Sequence, residues 1–407
     1  MNEIIIGREP EDFEKYGKKA TLYLGKNVVG TGEDAHMTTP VIMDVLRPHV
    51  VLITGKRGCG KSFTMGVMLE EILKLDSYTR QRLCGLMIDT QGIFWTMKIP
   101  NEKDYSLLAQ WNLPACGFDI EVSVPEGQVK NFSEADVDFD SVFSIKPSQL
   151  TPDDWLTLFD ISINDSKALI FQRALQKLKE DYGLDDIIDH VSKEQGEKKD
   201  IESMMNHLYV ANSWGIFGTA PMPKIISPGK ITILDVSLTP QNVRTLIASI
   251  ALRHLLIERI KARRKEETEK YLGEPVPFPW IFIDEAHNFA PDSGESSSLP
   301  VILKIVKEGR QPGLSMVMAT QQPNKLHSDV LSQADIVISH KLTSKEDINA
   351  LRSIMQTYML YDIQKYMTEL PKWKGVALVL DDNSERIYRI RVRPKQSWHA
   401  GASPKTI

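Results

Sequence analysis

Six stretches of the chain are apolar without alternation: His49–Thr54, Leu86–Asp89, Ile231–Val236, Trp280–Asp284, Leu314–Thr320 and Ile336–His340. A strand with one wet face alternates apolar and polar residues, whereas an unbroken apolar run marks a strand buried on both faces of a parallel sheet. Most of these runs are separated by helical patterns, such as Ser62–Leu75 and Gln241 to Lys265. Parallel neighbours need crossovers, so the pattern predicts an α/β fold whose mostly parallel sheet is wrapped by helices.

Other regions fall around this frame. Short β-like pieces, Ala20–Leu24 and Val28–Val29, are broken by Gly25, Gly30 and Gly32, which predicts a small β-rich N-terminal lobe over residues 1–46. The core is then expected at 47–100 and 229–395. Between the second and third apolar runs lie about 140 residues, far more than a crossover needs. Within them Asn164 and Asp165 can cap a helix carrying Phe171, Leu175, Leu178 and Tyr182, followed by the polar stretch 192–200. Residues 101–228 are accordingly expected to form a mostly helical insertion with a mobile tip. Val376–Leu380 and Arg386–Val392 flank Asp381-Asp-Asn-Ser384, a hairpin pattern, and 396–407 form a tail.

Composition narrows the class. With 42% hydrophobic and 25% charged residues, 24 Gly and 22 Pro in 407, the chain is an ordinary globular one, neither disordered nor collagen-like. Cys59, Cys84 and Cys116 are too few for a disulfide framework in a chain able to bury its own core. No apolar run is long enough to span a membrane and no signal peptide stands at the N-terminus, so a cytoplasmic protein without membrane contact is expected. The net charge of −5 gives no overall basic footprint, although a ring could still gather Lys and Arg in its channel. Lys261, Arg263, Arg264 and Lys265 close a helix, where cations complement the helix end or form a nucleic-acid patch.

The strongest chemical signal is Gly55-Lys56-Arg57-Gly58-Cys59-Gly60-Lys61-Ser62, between a buried strand and a helix that continues with Phe63. In that context the glycines let successive N–H groups face phosphate oxygens, Lys61 reaches the β- and γ-phosphates of ATP, and the Ser62 hydroxyl ligates Mg²⁺. An apolar strand delivers Asp284 and Glu285 together: Asp284 suits the Mg²⁺ shell and Glu285 suits polarising an attacking water. Asp89 and Gln321 also end strands on the expected ligand side; Gln321 could sense the γ-phosphate or hold the water, whereas Asp89 has a second reading as a turn cap. Arg310, in a loop ahead of the fifth apolar run, has the setting of an arginine that stabilises phosphate charge in a neighbouring subunit.

Taken together, Ile53–Ser62, Ile283-Asp-Glu-Ala-His-Asn-Phe-Ala-Pro291, Glu308-Gly-Arg-Gln-Pro-Gly313 and Ala319-Thr-Gln-Gln-Pro323 resemble the HerA-like branch of the HerA/FtsK P-loop ATPases. Gly229–Ser237 and Gln333–Asp347 continue the resemblance, which covers most of residues 47–350. It implies a RecA-like ATPase core, an N-terminal β-barrel, and a homohexameric ring that binds ATP and Mg²⁺ at its subunit borders and moves duplex DNA. It also implies Arg310 as the trans-acting finger, Arg47 as a second residue reaching toward the neighbour, and a nuclease or antiviral defence effector as partner. Residues 1–46 are short for the barrel of such proteins. Two alternatives stand beside this expectation: a nucleotide-gated ring that scaffolds an effector, and a soluble secretion or conjugation ATPase.

Overall fold

The computed structural model describes residues 3–268, 273, 276–342, 344–354 and 363–401. The part of the expected tail at 402–407 lies outside the described residues. In chain order the strands are β1 (Ile4–Ile6), β2 (Thr21–Val29), β3 (His36–Asp44), β4 (Val50–Thr54), β5 (Leu83–Asp89), β6 (Glu121–Pro125), β7 (Ser141–Phe143), β8 (Ile231–Asp235), β9 (Phe278–Ile283), β10 (Ser315–Thr320), β11 (Ile336–His340), β12 (Val376–Asp381) and β13 (Arg386–Val392). Among the described residues they form one 13-stranded sheet ordered β1-β3-β2-β13-β12-β11-β4-β10-β9-β5-β8-β6-β7.

From β11 across to β7 all neighbours are parallel. Helices and loops cover both faces, so β5, β8, β10 and β11 are buried at every position, as their unbroken apolar runs predict. Leu52, Leu86, Ile281 and Met318 pack into one apolar layer, and Val51, Ile53, Phe282 and Val317 into the other. The Lys61–Lys74 helix covers the second layer, and the Gln241–Glu266 helix the first.

Four features differ from the local pattern. The N-terminal β pieces make one bulged strand, β2, which pairs with β3 and with β13 and so continues the main sheet. Gly25 permits this, because a Cβ there would sit 2.0 Å from the Arg391 carbonyl oxygen. The insertion contributes β6 and β7 to the far edge besides its helices; they are short, and Ser123 and Ser141 interrupt their apolar character. The helix capped by Asp165 spans only Ser166–Gln176; Leu178 and Tyr182 follow it in a turn where Asp181 has φ 64°, and both still pack on the core. The polar stretch 192–200 is a tight connection, with Glu194 paired to Lys177 and Gly196 against Ile170.

Beyond β13 the chain crosses the Lys61–Lys74 helix as a strap. Arg393 and Glu70, both fully buried, pair at 2.8 Å, while the Ser397 hydroxyl and the amides of Gln396 and Ser397 donate to the Glu70 carboxylate. Lys395 lies against Gly66, where a Cβ would come within 2.8 Å of its side chain. Burial lowers the Lys395 ammonium pKa to about 8. The His399 ring meets Phe63 edge-on at 5.4 Å.

Candidate functional site

The site lies where β4, β10, β9 and β5 end together. After Thr54 the chain turns through Gly55, Gly58 and Gly60 at φ 151°, 74° and 117°, values that side chains rarely adopt. A Cβ on Gly55 would strike the Cys59 sulfur at 2.4 Å, whereas nothing lies within 4 Å of one on Gly58. The loop is thus tight beneath and open above, a backbone concavity that fits phosphate. The Lys56 amide donates to the Lys341 carbonyl, and Thr64 bonds His340, tying the loop and the start of its helix to β11. Burial holds His340 neutral, with its pKa lowered to about 4. Lys56 and Arg57 are exposed, Phe63 is half-buried, and the buried Lys61 rests its ammonium 3.5 Å from the Lys56 carbonyl.

Asp284, just beyond β9, is buried and accepts a 2.7 Å hydrogen bond from the Ser62 hydroxyl. Burial pushes its pKa up to about 6, Glu285 adds to the rise, and the Ser62 bond and Lys61 oppose it. A hydroxyl and a carboxylate, both hard oxygen donors, fit Mg²⁺, which keeps waters and takes phosphate oxygens for its remaining positions. Among the described residues no cluster of three His, Cys, Asp or Glu could hold a metal alone.

Glu285 adopts the left-handed conformation, φ 49° and ψ 48°, uncommon and strained for this residue type. One carboxylate oxygen accepts from the Gln321 amide beyond β10. The other, buried, makes no hydrogen bond and lies 3.6 Å from His287 Nδ1. The arrangement holds the carboxylate at the mouth of the loop with a lone pair to spare, as a general base requires. Burial lowers the His287 pKa, and that ring also bonds the Thr320 hydroxyl at 3.0 Å.

The structure therefore brings Lys61, Ser62, Asp284, Glu285 and Gln321 together. Asp89 lies on the same edge but holds a turn: its two oxygens accept the amides of Gln91, Gly92, Ile93 and Phe94 at 2.8–2.9 Å. Burial, with Asp235 alongside, raises its pKa to about 7. Gln91, two residues on, donates to Asp284 at 3.3 Å, a contact foreshadowed only by its place after a strand end. Arg47 and Arg310 lie at the opposite edge, where β4 and β10 begin. Arg47 pairs with Asp12 at 2.5 Å, and the largely exposed Arg310 stands 3.9 Å from Glu9. A five-residue strand, roughly 17 Å long, separates them from the phosphate loop of their own chain.

A sequence family described as the helicase HerA, central domain, matches residues 23–255, more than half of the chain. The chain belongs to this family. The DNA double-strand break repair helicase HerA of Sulfurisphaera tokodaii is 23% identical over 255 residues, 56% of this chain and 49% of that protein. A probable HerA helicase of Methanocaldococcus jannaschii is 32% identical over 143 residues, 29% of this chain and 27% of that one. The HerA of Pyrococcus furiosus is 23% identical over 159 residues, 34% and 29% of the two chains. The HerA-family match thus spans between about a quarter and a half of these relatives. In fold, the chain is similar to VirB4 of Thermoanaerobacter pseudethanolicus, with a TM-score of 0.60 at 13% identity over 93% of this chain and 97% of that one. That likeness agrees with the α/β fold expected from the sequence. Among the described residues no helix is long and apolar enough to cross a membrane.

Proposed function

We propose that this HerA-family chain is a Mg²⁺-dependent ATPase of a homohexameric ring that moves duplex DNA in the cytoplasm in concert with a nuclease or antiviral effector. The observation that carries the ATPase reading is the convergence of Ser62 on Asp284 at 2.7 Å beside a strained Glu285 with an unpartnered oxygen. An acid pair that merely faced solvent would need neither the burial nor the strain.

In this reading Gly58 and Gly60 present amides to the triphosphate, and Lys61 leaves the Lys56 carbonyl to neutralise the β- and γ-phosphates. Ser62 and Asp284 would hold Mg²⁺, which supplies charge neutralisation at the phosphate oxygens. Glu285 accepts the proton of the attacking water on its free oxygen, and Gln321 fixes the carboxylate and reports the state of the γ-phosphate. Since Arg310 and Arg47 stand a strand's length from their own loop, they would act on the nucleotide of an adjacent subunit, which is what makes the ring necessary. The HerA names of the relatives supply the DNA part of the proposal.

The test is turnover of ATP by the purified chain, sized by light scattering, with and without duplex DNA. Six-fold assembly, loss of turnover on chelation of Mg²⁺, and stimulation by DNA are expected. A monomer hydrolysing ATP at full rate overturns the ring, and stimulation by a protein partner alone replaces the motor with a scaffold.

A further inference from the structure

At the edge of the sheet opposite the phosphate loop lies a recess of about 190 Å³ whose lining includes Arg47, Arg263 and Arg310 and no carboxylate. Its floor is apolar, built from Leu83, Phe278 and Trp280 at the starts of β5 and β9. The acids that meet these arginines stand at the rim: Asp12 on Arg47, Glu9 on Arg310 and Glu267 on Arg263.

Arg263 sits in the cationic last turn of the Gln241–Glu266 helix, where the sequence alone leaves a solvated helix end as one reading. Its neighbour Arg264 is exposed, but the Arg263 Nε is buried and makes no hydrogen bond; the Glu267 carboxylate lies 3.2 Å away. The helix end is also fastened to the turn that carries Arg310. Arg259, fully buried one turn before Arg263, donates from Nε to the Pro312 carbonyl at 2.9 Å, and from Nη1 to Glu266 and the Val276 carbonyl. Arg263 and Arg310 are therefore presented by one rigid unit, as preorganised phosphate recognition demands.

We infer that Arg263 is a further arginine of the trans site, binding the triphosphate of the adjacent subunit alongside Arg310. The inference rests on the trans reading proposed above and extends it from a lone finger to a preassembled cationic recess. Arginine suits the task because its planar fork takes two phosphate oxygens at once, which a lysine cannot do.

The test compares ATP turnover of full-length Arg263→Ala, Arg263→Lys, Arg264→Ala and Arg310→Ala, with binding of a fluorescent ATP analogue as a second readout. Arg263→Ala is expected to lower kcat by about 10- to 100-fold while analogue binding stays within two-fold, Arg263→Lys to restore only part of the loss, and Arg264→Ala to leave turnover unchanged. Mixing Lys61→Ala with Arg263→Ala chains separates a trans role from damage to the fold, because a border formed by the loop of one and the arginines of the other is complete. Recovered turnover in the mixture supports the inference. Wild-type turnover in Arg263→Ala, equal losses in Arg263→Ala and Arg264→Ala, or no recovery on mixing overturns it. If Arg310→Ala also keeps full turnover, the trans reading itself has failed; if Arg310→Ala alone is inactive, only the role of Arg263 is lost.

Discussion

Two networks at opposite edges of the parallel sheet handle buried charge in opposite ways. At the edge where β4, β9 and β10 end, Glu285 keeps an oxygen without a hydrogen bond, Asp284 is held up to a pKa of about 6 mainly by its burial, and the backbone at Glu285 is strained. At the edge where β4 and β11 begin, His49 is nearly as buried but fully engaged: Nδ1 meets Asp335 at 2.6 Å and Nε2 meets Asp44 at 3.1 Å. Asp44 also pairs with Arg8, whose remaining donors reach the carbonyls of Gly17, Lys19 and Ala20. A closed network binds the N-terminal strands to the core, whereas an open one stores polar capacity for a ligand. Position along an edge does not decide which applies. Asp89 shares the ligand edge, yet its four amide bonds make it structural.

The sharpest way to break this contrast is at the open network. Glu285→Gln should cut ATP turnover by ~10²–10⁴-fold, the range of a lost general base, while a fluorescent analogue still binds. Lys61→Ala should lose both turnover and binding. Full turnover in either variant removes the site.

Closed networks should fail through stability instead. Glu70→Ala leaves the donors of Gln396 and Ser397 without their buried acceptor and Arg393 with Glu71 as its one remaining carboxylate, each unsatisfied buried donor costing about 1–3 kcal/mol. A shift of the urea midpoint equivalent to less than 1 kcal/mol would show that the strap adds little.

Asp89→Asn places the two edges' logic within a single edge. One carbonyl oxygen replaces two carboxylate oxygens beneath four amides, so about 1–3 kcal/mol of stability is lost. Turnover per folded molecule should stay within a few-fold of wild type. A collapse of kcat at unchanged stability would return Asp89 to the chemistry.

An effect comparable in size to that at Asp89 is a pH dependence. Burial disfavours charge on His49, but its bonds to Asp335 and Asp44 outweigh that and raise its pKa from 6.5 to about 9. A folded-state pKa above the unfolded value stabilises fully below pH 6.5, and the contribution fades as pH rises through 9, on the order of 1–3 kcal/mol in all. Urea unfolding from pH 6 to 9.5 checks this. A His49→Gln chain, unable to titrate there, should lose that slope.

What could be read from the residues follows the range of the interaction. The parallel strands, the phosphate loop and the acid pair are local: each is a run or motif whose neighbours in sequence are its neighbours in space. Asp89 was legible only as two alternatives, because an acid after a strand looks the same whether it faces a ligand or its own next four amides. The pairing of β2 with β13, the addition of β6 and β7 and the Gln91–Asp284 contact join distant segments with no periodic signature. The αL backbone of Glu285 leaves no trace in composition, since glycine is absent where the strain is held.

The strap completes the packing of the phosphate-loop helix with residues made long after it. Glu70 and Arg393 stand 323 residues apart in the chain, an interval that a ribosome covers in roughly 20–60 s. Throughout it the nascent helix leaves the groove at Gly66 uncovered and carries Glu70 without its partner Arg393, on a segment whose mature form is almost entirely hidden.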